Sequence, residues 1–321
     1  MAAVATATDL SPLIKVYTDG TVQRLIGSSY VPPSPEDPTT AVASKDITIS
    51  PSISARLYLP KLASAATPQK LPILVYFHGG GFCLESAFSL LHHRYTNLLS
   101  AASNALIISV EYRLAPEHPL PAAYDDSDAA LKWVYSHALD QTGFDKESWI
   151  ANHGNFGRVF IGGDASGANI AHNMAMRAGS DPLPGNVKIE GVILAHPFFG
   201  GSNPVGNESK EDLERSFVYR VWSFVYPNAG GGIDNPMINP LAGGAPSLSE
   251  LGCSKMIVFL AEKDPMAARG RLYTEMVRRS GWGGEMEVVE FEGENHCFQI
   301  LDTRTQNAKN LINRFVAFIS G

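Results

Sequence analysis

The sequence predicts an α/β fold, with a mostly parallel central sheet and helices on both faces. Three observations carry that prediction. Six short apolar runs read as buried strands: Ile73 to Phe77, Ala105 to Tyr112, Arg158 to Gly163, Ile189 to Ala195, Lys255 to Ala261 and Met286 to Phe291. Stretches with helical periodicity separate most of them. Glycine-rich turns directly follow two of the strands, at His78–Gly81 and at Gly163–Gly167.

The elements follow in order. Ile14 to Leu25 places Asp19-Gly20 between alternating residues, a hairpin signal. Asp46 to Pro60 reads as a second antiparallel pair, so an antiparallel edge on a mostly parallel sheet is expected. Tyr124 to Leu139, Ser166 to Gly179, Arg269 to Gly281 and Arg304 to Ser320 carry helical patterns. Leu62 to Lys70 and Asn228 to Pro236 read as loops. An aromatic-rich helical insertion lies within residues 200–239. With approximately residues 1–35 it is expected to form a lid over one α/β domain spanning 1–321. There is no internal repeat.

Composition narrows the function classes. Hydrophobic residues are 45% and charged residues 18% of 321, as in ordinary soluble enzymes. A net charge of −7, with no basic run longer than Arg278-Arg279, argues against a nucleic-acid partner. No apolar run reaches the ~20 residues of a membrane span, and no signal peptide is evident at the N-terminus. Three scattered cysteines (Cys83, Cys253, Cys297) fit neither a disulfide framework nor a zinc site. The expectation is a cytoplasmic protein, a monomer or weak homodimer, that takes a small-molecule substrate and needs no cofactor and no metal.

Four stretches carry chemistry. Gly163-Asp164-Ala165-Ser166-Gly167 has the strand–turn–helix setting in which hydrolases place a serine at the centre of Gly-x-Ser-x-Gly. Here the centre is alanine, and two glycines alone also suit a turn without chemistry. His78-Gly79-Gly80-Gly81 follows a strand, as oxyanion loops do, and no Gly-Lys-Ser/Thr follows to make a phosphate loop. Asp264 sits at a strand end, with Glu262 as a neighbouring alternative. His296 follows the next strand, with Glu294 as a competing acid nearby. The chain order of elbow, acid and histidine is the one α/β-hydrolases use.

These motifs, with "EYRLAPEHPLPAAYDD" and "AEKDPMAARGRLY", resemble the plant carboxylesterases of the hormone-sensitive-lipase group of α/β-hydrolases. "SPLIKVYTDGTVQRL", "CLESAFS" and "GGIDNPMINPLAGGAPSL" resemble its plant carboxylesterase and 2-hydroxyisoflavanone dehydratase branch. The resemblance implies an α/β-hydrolase fold. It places Ala165 at the nucleophile position, Asp264 as acid, His296 as base, and the N–H groups of Gly80, Gly81 and Ser166 as oxyanion donors, supported by His78 and Gly79. It also implies that Tyr112, Arg113 and Glu117 buttress the oxyanion loop. Asp125 or Asp126 is expected to cap the following helix, and adjacent His92 and His93 are expected in core or surface roles. Phe82, Phe198, Phe199 and Trp222 are expected to line an apolar pocket, with Cys83 and Cys297 in its wall.

Alanine cannot attack an acyl carbon, and Ser166 starts the helix about 100° around the axis. The reading is a carboxylesterase-like serine hydrolase for a small apolar or aromatic ester, with Ala165 standing where serine belongs. The alternatives are a non-hydrolytic lyase, dehydratase or cyclase that uses His296 as base, and a ligand-binding, receptor-like protein.

Overall fold

The computed structural model describes residues 5–62, 70–139 and 146–321. Residues 63–69 of the expected loop after Leu62 lie outside the described residues. The first half of the chain runs through β1 (Thr6–Leu10), β2 (Ile14–Tyr17), β3 (Val22–Arg24), β4 (Ala43–Ser50), β5 (Ile53–Leu59), β6 (Leu71–Phe77), α1 (Leu90–Ser103), β7 (Leu106–Glu111) and α2 (Ala122–Ser136). Next come α3 (Ser148–His153), β8 (Gly154–Asp164), α4 (Ser166–Ser180), β9 (Ile189–Ala195), α5 (Lys210–Arg215) and α6 (Phe217–Val225). The chain ends with β10 (Cys253–Ala261), α7 (Ala267–Arg279), β11 (Glu285–Phe291), α8 (Phe298–Leu301) and α9 (Gln306–Ser320).

Among the described residues, eight strands form one sheet in the order β11-β10-β9-β8-β6-β7-β5-β4. The six strands from β11 to β7 run parallel, and β5 and β4 add an antiparallel edge. Strand residues alternate between two apolar layers. Ile73, Val75, Ile161 and Val258 pack toward α2, α4 and α7, whereas Leu74, Phe160, Ile193 and Phe259 pack toward α1 and α9. Burial on both faces explains why the strands read as continuous apolar runs.

The expected hairpin at Asp19-Gly20 joins β2 to β3, but β1 to β3 form a separate three-stranded sheet and not part of the main edge. Chain order reverses between β6 and β8, so the loops after these two strands open into one crevice. Both glycine-rich motifs lie there.

Candidate active site

The strand β8 ends at Asp164, and the chain turns into α4 through Ala165 at φ 50°, ψ −114°. A non-glycine residue holds such a conformation only when its surroundings impose it. Here the Ala165 N–H donates to the Ala195 carbonyl at 2.9 Å, and its own carbonyl accepts from Phe198 N at 3.1 Å. Glycine flanks are obligatory for this turn. A β-carbon on Gly163 would lie 2.3 Å, and one on Gly167 1.9 Å, from the carbonyl oxygen of Phe77 at the end of β6. The elbow is therefore fully formed around a methyl group.

The loop after β6 is fixed from beneath. Tyr112 donates its hydroxyl to the His78 carbonyl at 2.6 Å and stacks on the His78 ring at 4.3 Å. Burial, with the charge of His92 behind it, pushes the His78 imidazole down to about 4, so it is neutral. Gly79 N donates to Asp164 Oδ1 at 3.1 Å, which ties the loop to the elbow. Among the described residues, the N–H groups of Gly80, Gly81 and Ser166 have no protein acceptor. The Ser166 side chain is fully buried and accepts from Phe82 N at 3.4 Å.

Asp164 anchors a buried charge network. Its Oδ1 accepts from Tyr76 at 2.6 Å and lies 3.4 Å from His92 Nε2. His92 Nδ1 lies 3.5 Å from Glu85, whose carboxylate accepts from both the backbone and the hydroxyl of Ser28 at 2.8 Å. Burial works against every charge here. It is outweighed by the two carboxylates, which hold His92 up at about 9, and by His92, which helps hold Glu85 down at about 2.

The strand β10 delivers Asp264 and the turn after β11 delivers His296. His296 Nδ1 lies 2.7 Å from Asp264 Oδ2, and Met266 N donates to Oδ1 at 2.9 Å. Burial raises the Asp264 carboxyl, but the hydrogen bond and charge of His296 prevail and hold it below the usual range. The competing acids are engaged elsewhere, Glu262 with Gly293 N at 2.7 Å and Glu294 with Asn307 at 2.9 Å. A second imidazole, His196, lies beside the pair. Its Nδ1 is 3.8 Å from Asp264 Oδ2. His196, Asp264 and His296 place donor atoms within 4.8 Å of one another, the only such cluster among the described residues.

Two cavities meet at this centre. One of about 250 Å³ is lined by Gly80, Gly81, Ala165, Phe198 and His296, with Leu13 and Ile26 from the N-terminal segment. The other, about 380 Å³, runs along Gly201, Phe217, Tyr219, Asp264 and Met266. His296 and Phe217 border both. The structure thus brings Ala165, Gly80, Gly81 and His296 onto one surface.

Several expected residues lie elsewhere. Phe82, Phe199 and Trp222 line neither cavity. Phe82 sits in an aromatic cluster with Tyr124, Phe198 and Trp222. Trp222 donates to the Gly232 carbonyl at 2.8 Å, and Phe199 packs on Tyr273 at 4.7 Å. Phe217 takes the place expected of Trp222. Neither Asp125 nor Asp126 caps a helix, because both lie inside α2. Asp126 grips Arg113 through two bonds of 2.8 and 2.7 Å. Cys297 lines the smaller cavity, while Cys83 is buried against the Gly80 carbonyl. His196 escaped the sequence reading because a single histidine after an apolar run carries no spacing signal, and His92, expected in a core or surface role, is buried in the charge network.

Comparisons with known proteins agree with this fold. A family model described as the α/β-hydrolase fold matches residues 74–300. The chain is 58% identical to 2-hydroxyisoflavanone dehydratase of Glycyrrhiza echinata, over 97% of this chain and 95% of that protein. It is 43% identical to a protein of Arabidopsis thaliana named probable carboxylesterase 13, over 98% of both chains. Among solved structures, a hyperthermophilic esterase from Pyrobaculum calidifontis superposes with a TM-score of 0.66 at 29% identity, covering 86% of this chain and 84% of that one. The elbow, the strand-end acid and histidine, and these likenesses together identify the chain as a member of the α/β-hydrolase fold family, in the branch that holds plant carboxylesterases and 2-hydroxyisoflavanone dehydratases.

Proposed function

We propose that this chain, as it stands, is a carbon–oxygen lyase that removes water from a β-hydroxy ketone carried on aromatic rings. The observation that carries the reading is an intact Asp264–His296 pair facing unpaired N–H groups across an elbow that ends in a methyl group. Among the described residues, no neighbour of Ala165 replaces the missing nucleophile. Ser166 is buried, and burial pushes the Cys297 thiol well above its ordinary value, so no thiolate is at hand. A dehydratase at 58% identity supports the same chemistry.

The step needs a base and an oxyanion site but no covalent intermediate. His296 Nε2 takes the proton from the carbon next to the ketone. The N–H groups of Gly80, Gly81 and Ser166 hold the enolate oxygen that develops. The enolate electrons form the carbon–carbon double bond and expel the β-hydroxyl. The imidazolium returns its proton to the departing oxygen, which leaves as water. Asp264 keeps Nδ1–H fixed and stabilises the imidazolium. Leu13, Ile26 and Phe217 form an apolar wall suited to aryl rings, with the N-terminal segment and α6 serving as a lid. A cytosolic setting completes the proposal, since Cys83, Cys253 and Cys297 are all free.

The test is dehydration of 2-hydroxyisoflavanone, followed by absorbance of the conjugated product. His296→Ala is expected to lower the rate by about 10²–10⁴. A parent chain no faster than buffer ends the reading.

The preserved elbow favours ester hydrolysis as the second reading, with serine at position 165. Ala165→Ser is expected to gain hydrolysis of a p-nitrophenyl ester and labelling by a fluorophosphonate. Absence of both gains rules it out.

A further inference from the structure

His196 follows β9 in a left-handed conformation, at φ 51°, beneath the Asp264–His296 pair. Its ring is 1% exposed and meets the His296 ring edge-on at 5.7 Å. Burial first, and then the charge of His296, lowers its pKa to about 4, so it carries one ring proton near neutrality. That proton has two possible places, and the surroundings of each are on view.

With the proton on Nε2, it donates to Gln299 Oε1 at 3.0 Å. The Nδ1 lone pair then faces Asp264 Oδ2 at 3.8 Å, acceptor against acceptor, with water excluded. In that arrangement two buried atoms have no partner, His196 Nδ1 and Gln299 Nε2. Each such atom carries a desolvation cost. A single change pairs both, with the amide oxygen moving into the place the NH₂ leaves. A half-turn of the Gln299 carboxamide lets its NH₂ donate to His196 Nε2, and the ring proton moves to Nδ1, where it points at Asp264. The two ends of a carboxamide have nearly the same shape, so the half-turn needs no repacking. The remaining gap closes to hydrogen-bond length with a shift of less than about 1 Å.

We propose that His196 is a positioning residue that donates Nδ1–H to Asp264, so that Gln299, His196, Asp264 and His296 form one hydrogen-bonded chain ending at the reacting base. A cation shared by His196, Asp264 and His296 satisfies the orphaned imidazole nitrogen but leaves the Gln299 amide unpaired. The flipped carboxamide pairs both imidazole nitrogens and the amide NH₂ and leaves only the amide oxygen without a partner, a milder loss than an orphaned N–H. In the chain, Asp264 receives Met266 N–H on one oxygen and two imidazole N–H groups on the other. Its carboxylate can then neither rotate nor pull the proton off His296. The charged and titratable groups facing His196 are Asp264, His296 and, farther off, Asp164.

The structural part stands apart from the dehydratase reading and is tested on the parent chain without substrate. Long-range ¹⁵N–¹H correlation spectra of histidine-labelled protein distinguish the two neutral tautomers. Expected are an Nδ1–H tautomer for His196, assigned by its loss in His196→Phe, and an unchanged pattern after EDTA. An Nε2–H tautomer, or a His196 signal that moves when metal is stripped, overturns the proposal. The positioning part rests on the dehydratase reading. His196→Phe keeps a ring of similar size and is expected to lower kcat by roughly ten- to a hundredfold with KM within about twofold, as the loss of one charge-assisted bond predicts. Gln299→Leu is expected to mix the tautomers and fall between parent and His196→Phe. An unchanged kcat in His196→Phe overturns the positioning role even if the tautomer is as expected.

Discussion

Gly167 leaves no space for a methyl group, because the Phe77 carbonyl occupies the place where a β-carbon would go. Gly167→Ala must therefore push the elbow away from β6. A loss of about 3 kcal/mol is expected in urea unfolding, at the upper end of ordinary overpacking. At this scale the sequence was informative where a motif fixes backbone geometry. Asp264, His296 and the two glycine turns were legible because each follows a strand and the chain order is right. Trp222 was expected in the pocket, and Phe217 lines it instead. Five residues along a helix amount to a rotation of about 140°, so the two cannot share a face. Only packing decides which one meets the cavity.

Among the elements, the N-terminal sheet is held down by a few polar contacts. Arg24 donates to the Cys83 carbonyl at 2.8 Å and to both Glu117 oxygens, at 2.9 and 2.7 Å. The same arginine thus joins β3 to the glycine-rich loop after β6 and to the segment before α2. Arg24→Ala is expected to cost about 1–3 kcal/mol and to speed proteolytic cleavage within the first ~30 residues. Equal cleavage rates would remove this account of the anchoring. Alternating patterns correctly revealed the hairpin from β2 to β3. They did not reveal that it joins β1 in a sheet of its own, because strand pairing depends on partners distant in sequence.

For the molecule as a whole, buried histidines set the response to pH. His78, His93 and His196 are lowered to about 4 and His172 to about 3, by burial first in each case. Their unfolded forms take up protons near 6.5 while the folded forms do not, so stability falls as pH drops from about 6.5 toward 4. His92 acts in the opposite direction. Its folded pKa of about 9 lies above the unfolded value, so its contribution is complete below about 6.5 and is lost as pH rises through about 9. Melting temperature is expected to fall on acidification from pH 7 to 5, and His172→Phe should flatten that slope. The α/β class itself was plain from sequence because burial on both faces leaves long apolar strands. The charge network was not, since Asp164 is far along the chain from Glu85 and His92.

The turn at Ala165 is held by neighbours and not by its own side chain. Phe77, Ala195 and Phe198 impose its shape through backbone contacts. Alanine, serine and threonine codons differ by a single base. A gene of this kind can therefore exchange a bond-making side chain for an inert one without any compensating change elsewhere, and the parent and its Ala165→Ser and Ala165→Thr forms should melt within a few degrees of one another.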